Sequence, residues 1–183
     1  MKRIVLILIF CITNSTFSQN ENSNSDTRKF ISDAEFTQIN RDWNQVARFT
    51  SGLGEQVSFF PVEAINLKTN ERINSLQMDM TVTSSGYNYY KQSWIDLDEI
   101  DEFIFFLEEY IMPNLENKTG NKQSVTYIFN SKEIVFEFQI RKNKKRTSIF
   151  LKDYGITDTR HYFWTETQVT KIPRLLTMLK ELK

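Results

Sequence analysis

Five carboxylates crowd one short stretch of this sequence: Asp96, Asp98, Glu99, Asp101 and Glu102. Gathered acids do two kinds of chemistry. They bind hard cations through oxygen, and in pairs they serve as general acid and base. Calcium is the first candidate, but the spacing is not that of an EF-hand loop, and the glycine on which such a loop turns is missing. The acids fall instead where a helix begins, and a helix dipole favours negative charge in its first turn. The cluster therefore reads as a helix start, and no metal ligand is assigned.

His161 is the single histidine. A catalytic histidine needs a nucleophile to serve and a carboxylate to orient it; Asp158 is near in sequence, and nothing else points to it. No GxSxG, HExxH, P-loop or GxGxxG stretch occurs, and five glycines are too few for a phosphate cradle. His161 is read as an ordinary residue at a strand start. No catalytic, cofactor-binding or metal-binding residue is assigned, and the chain reads as non-enzymatic. The alternative is a hydrolase-type enzyme whose carboxylates are scattered along the chain.

Two patches suit binding better than catalysis. Arg141, Lys142, Lys144, Lys145 and Arg146 form a basic hairpin tip that could meet phosphate, lipopolysaccharide or an acidic protein. Tyr87, Tyr89, Tyr90 and Trp94 place aromatic rings on one strand, with Tyr90 and Trp94 on the same face. Exposed rings there could stack on a sugar or a base.

The address comes from the first residues. Lys2 and Arg3 precede an apolar run, Ile4 to Ile12, and Thr16-Phe17-Ser18 offers a small-x-small cleavage site. This is the order of a secretory signal, and the run is too short to span a bilayer. Cys11, the single cysteine, lies inside it, so an exported chain keeps no disulfide, thiolate nucleophile or cysteine-based metal site. Losing Lys2 and Arg3 leaves 21 basic residues against 23 acidic ones, a net charge of −2. Such a chain has no global field to draw it to nucleic acid or anionic lipid.

The elements that must position these residues come from periodicity. Gln19 to residue 30 is a polar leader without apolar pattern. Ser32 and Glu35 match a capping box, and Phe36, Ile39, Trp43 and Val46 follow at helical spacing, which predicts a helix over 33–48. Three strands follow, at 57–67 (placed at a sheet edge because of Pro61), 76–82 and 87–97. Asp98 then caps a helix whose stripe is Ile100, Phe103, Ile104, Leu107 and Ile111, stopped by Pro113. Phe105 and Met112 fall on the back of that helix, where the helix at 33–48 is expected to cover them. Beyond a polar loop, strands recur at 125–129, 134–140, 147–151 and 161–164. A C-terminal helix follows from Thr167 or Thr170, with Pro173 in its first turn.

The two stretches, 55–113 and 124–183, align at a shift of 69 and form a candidate repeat. Their element order resembles the tandem β-β-β-β-α repeats of single-stranded nucleic-acid-binding proteins. That resemblance implies sheet-and-helix units and nucleic-acid binding, but no motif residue carries it and the charge opposes it.

The expected fold is α+β: an antiparallel meander of sheets with packed helices, in one domain from 31 to 183. The expected function is an exported, secreted or periplasmic binding domain for a protein or surface polymer. Its candidate surface is Tyr90, Trp94, Phe105, Met112, Arg141, Lys144, Lys145 and Arg146. No cofactor is expected, nucleic acid is the lesser alternative, and no later segment is apolar enough to cross a membrane. The native protein should start within a few residues of Gln19 by intact-mass measurement; a retained Met1 overturns the export reading.

Overall fold

The computed structural model describes residues 24–84, 86–152 and 162–182, so the signal segment and His161 lie outside the described residues. Within them, nine strands form two antiparallel sheets, and the fold is α+β. The chain runs through α1 (Asp26–Asp33), β1 (Thr37–Arg41), β2 (Ala47–Thr50), β3 (Gln56–Asn66), β4 (Arg72–Ser84), β5 (Tyr87–Asp96) and α2 (Leu97–Phe106). It continues through β6 (Ser124–Asn130), β7 (Ile134–Arg141), β8 (Lys144–Leu151), β9 (Tyr162–Thr165) and α3 (Ile172–Glu181).

The first half contains two corrections. The expected helix over 33–48 is absent: α1 ends at Asp33, and residues 37–41 and 47–50 are strands. The reason is long-range. β3 spans eleven residues, and β1 and β2 in succession pair with its free side, Thr37 opposite Asn66 and Thr50 opposite Gln56. That pairing satisfies backbone groups which a helix would leave bare, and tertiary demand of this kind overrides local periodicity. The supposed helical stripe is used differently. Ile39 and Val46 pack against Phe60, Val62 and Trp94, and Trp43 lays its ring 4.6 Å from that of Phe60. The polar leader is also shorter than expected, because its last residues form α1.

Pro61 does not mark an edge. β3 lies between β1 and β2 on one side and β4 on the other. Proline is tolerated because the edge breaks there: β1 stops opposite Val62 and β2 resumes opposite Phe59. No ladder bond from an N–H is missed, and the Pro61 carbonyl still accepts from Asp42 N–H at 3.1 Å.

The central helix begins at Leu97, with Asp96 as its cap in place of Asp98. Its stripe of Ile100, Phe103, Ile104, Leu107 and Ile111 is buried as expected. From Leu107 to Ile111 the chain widens into a π turn before a 3-10 turn at Met112–Asn114 that carries Pro113. The wider turn rotates the last residues, so Met112 leaves the back of the helix and packs against the core. Phe105 stays outside at 56% exposure. The helix expected to cover it does not exist.

Each sheet is followed by a helix, and the helices cross over. Phe103 of α2 stacks on Phe129 at 4.5 Å and meets Phe136 edge-on at 5.4 Å, both in the second sheet. α3 in turn reaches β2 of the first sheet. A single buried cluster therefore unites both sheets and both helices, from Phe59 and Met78 to Phe138 and Leu179. The buried stripe of Ile100, Phe103, Ile104 and Leu107 has a counterpart of the same spacing near the C-terminus in Ile172, Leu175, Leu176 and Leu179, all buried.

Phe103 is fully buried where the two sheets meet. Phe103→Ala removes two ring contacts and leaves a cavity, so it should cost about 3–5 kcal/mol in denaturant unfolding. An effect below about 1 kcal/mol would show that the crossing is not tightly packed.

Candidate functional site

The acidic stretch proves to be one half of a clasp, and Glu133 and Lys132 from the β6–β7 turn supply the other. Asp96, at the end of β5, aims its carboxylate at the start of α1. It accepts from Asp26 N–H at 2.7 Å, Thr27 N–H at 3.0 Å and the Thr27 hydroxyl at 2.8 Å. Glu133, with a side chain fully shielded from solvent, accepts from Ser25 N–H at 3.0 Å and the Ser25 hydroxyl at 2.6 Å. It also takes Arg28 in a two-pronged contact at 2.7 and 2.6 Å, and Trp94 N–H at 2.9 Å. The Ser25 hydroxyl accepts from Arg28 N–H, capping α1. Apart from the Trp94 N–H of β5, every bond donated to these two acids comes from a helix start or a cation, the groups that favour ionised acids.

Lys132 closes the other side. Its ammonium lies 2.9 Å from Asp96, 3.2 Å from Asp26 and 3.2 Å from Asp98. Glu99 accepts from Lys132 N–H at 2.6 Å and from Asp96 N–H at 3.1 Å. Burial pushes the Asp96 carboxyl up, but the bonds from Lys132, Asp26 and Thr27 together outweigh it and hold the group below its ordinary value. Glu99 goes the other way: burial, with some help from neighbouring Asp96, raises it. Burial opposes the charge of Lys132, yet its three carboxylates raise it above its ordinary value. Oxygens of Asp96, Asp98 and Glu99 lie within 4.8 Å of one another. The Lys132 charge already stands beside two of those acids, so the cluster serves as an ion-paired fastening and is not assigned as a metal site.

The basic tip is built by a two-residue turn. β7 pairs with β8 so that Arg141 faces Lys144, leaving Lys142 and Asn143 as the turn, with Lys142 at φ 58°. Arg141, Lys144 and Arg146 line one cleft with Gln139 and Glu166. Lys145 lines an adjoining hollow with Leu115 and Val169, which shares Lys144 and Glu166 with that cleft. Arg146 spreads its guanidinium 4.3 Å from the Trp164 ring and pairs with Glu166 at 3.0 Å; Lys144 reaches the same acid at 4.0 Å.

The other candidates are dispersed. Trp94 is buried under α1 with Phe60 and Val62 and presents no surface. It shares a face with Tyr90, but α1 covers that face only at the Trp94 end. Tyr90 remains exposed on the first sheet, its hydroxyl accepting from Gln92 at 3.0 Å and raised first by burial and then by Asp79. Phe105 sits on α2. Neither Tyr90 nor Phe105 lines the cleft at the tip. Sequence reasoning missed Glu133 and Trp164. A lone acid in a Ser-Lys-Glu turn carries no signal, and Trp164 is recognisable only once β9 is paired beside β8. No protein-family model matches the sequence, and no curated protein matches it.

Asp96→Asn should destabilise the fold by roughly 3 kcal/mol at neutral pH, since it strips charge from a shielded site and leaves Lys132 and the α1 start short of a partner. Because the folded value of Asp96 is depressed, its stabilisation is complete above the ordinary value of 3.8 and is lost as pH falls through the lower folded value. The variant should therefore lose less stability than the wild type over that acid range. Glu133→Ala should free α1 and open Arg28 and Lys29 to trypsin. Unchanged proteolysis would show that α1 docks without the clasp.

Proposed function

We propose that this chain is an exported, non-enzymatic binding domain whose ligand is an anionic surface polymer or an acidic protein face, held at the β7–β8 tip. The observation that carries the reading is the cluster of Arg141, Lys142, Lys144 and Arg146 beside Trp164, with Glu166 as its acid partner among the described residues. Cations gathered about a cleft draw phosphate or carboxylate groups, and an indole ring carrying a guanidinium adds a flat surface for a sugar ring or peptide plane. The enzyme reading draws less support. Among the buried carboxylates, Asp96, Glu99 and Glu133 each accept bonds that hold the fold together.

Native protein should bind phosphorylated or uronate-rich polysaccharide in calorimetry and ignore a neutral glucan. Changing Arg141, Lys144 and Arg146 together to Ser should weaken that binding roughly tenfold or more, since each cation near an anionic surface contributes about 1 kcal/mol. Single-stranded DNA should bind weakly and be released by moderate salt. Tight DNA binding that survives salt, or polymer binding indifferent to the three changes, overturns the proposal.

A further inference from the structure

Five strands lie at sheet edges, and four of them carry a device against pairing with another chain. β1 and β2 carry Arg41 and Arg48, β5 carries Lys91, and β9 is four residues long. Charge and shortness are the usual protections of an exposed edge. β6 has neither. It is seven residues, Ser-Val-Thr-Tyr-Ile-Phe-Asn, without charge, proline or glycine, and it pairs with β7 alone. Its alternate backbone groups point away from β7 with no ladder partner among the described residues. Val125 and Ile128 are 40% and 50% exposed.

We infer that β6 is an association edge on which a second copy of this chain pairs, joining the two four-stranded sheets into one of eight strands. The strand is complementary to itself. Set antiparallel about Tyr127, each copy places Val125 opposite Phe129, Thr126 opposite Ile128 and Ser124 opposite Asn130. Apolar residues then meet apolar ones on the face toward the helices, and no like charges oppose. An isologous pair of this kind closes on itself and needs no third copy. The flank of α2 supports the same occupant. Tyr110 lies 6.4 Å from the half-buried Tyr127 and 5.9 Å from Phe105, so aromatic rings continue from the strand edge onto the helix, where Tyr110 and Phe105 are exposed. A second copy brings an identical set across the seam, and this accounts for the uncovered Phe105.

The test uses charge on a face that the monomer leaves open. Thr126 and Ile128 are both exposed, so Thr126→Lys with Ile128→Lys should fold, and so should the matching double change to Glu. In the paired register lysine faces lysine in one variant and glutamate faces glutamate in the other. Sedimentation of the native protein should show a dimer. Each variant alone should be monomeric, with a dissociation constant raised at least roughly tenfold. An equal mixture should recover a heterodimer, because lysine then faces glutamate. A monomeric native protein, a lysine variant that stays dimeric, or a mixture that remains monomeric would each overturn the inference. Should the variants fail to fold, hydrogen exchange of the native protein decides. Protection of β6 amides that grows with protein concentration supports the pairing, and protection independent of concentration rejects it.

Discussion

Two shielded carboxylates, Asp96 and Glu133, fasten together parts of the chain that lie far apart in sequence. An acid removed from water must be matched by donors, or the cost of burying its charge goes uncompensated. Here the donors are the first N–H groups and hydroxyls of α1, the Arg28 guanidinium, the Lys132 ammonium and the backbone of β5. The arrangement ties the N-terminal helix, the end of the first sheet and the first turn of the second sheet at one point. It also sets where α2 begins, because Asp96 and Glu99 stand at its start and Lys132 N–H donates back to Glu99.

That fastening sits above a core whose halves are interlocked. Each helix follows one sheet and packs on the other, so neither sheet has its apolar face covered by its own unit alone. Phe103 and Phe106 reach Phe129 and Phe136, and the ion pair of Glu108 with Lys180 joins the π turn after α2 to the last turn of α3. The π turn at Leu107–Ile111 belongs to the same packing: it turns Ile111 inward and lets Met112 follow.

The outer surfaces divide the remaining work. The first sheet buries Trp94 and Phe60 beneath α1, which removes the Trp94 end of the aromatic strand from the surface and leaves Tyr87 and Tyr90 exposed. The second sheet leaves its hairpin tip and Trp164 open, and there, among the described residues, Arg146 and Lys144 share the one acid Glu166. The exposed cations are thereby gathered at one end of the second sheet, next to the start of β6, where Ser124 pairs with Arg141.

By itself, the sequence determined the elements whose pattern is local. Alternation in Leu76 to Val82 and in Ile134 to Ile140 specified strands, because one buried face imposes period two. The stripe from Ile100 to Ile111 specified a helix for the same reason at period 3.6. The basic run was legible as a hairpin tip, and its composition pointed to anions. Tertiary structure alone decided what depends on distant partners. Residues 37–50 had a helical stripe but became strand because the free side of β3 required hydrogen bonds. Trp94 could be assigned a face, yet only the docking of α1 showed that the face is covered there. The acids at 96–99 signalled a helix start, but their bonds to Ser25–Arg28 by way of Glu133 and Lys132 join positions more than a hundred residues apart. No spacing rule along the chain encodes such a contact, because it exists only once two sheets and two helices have packed.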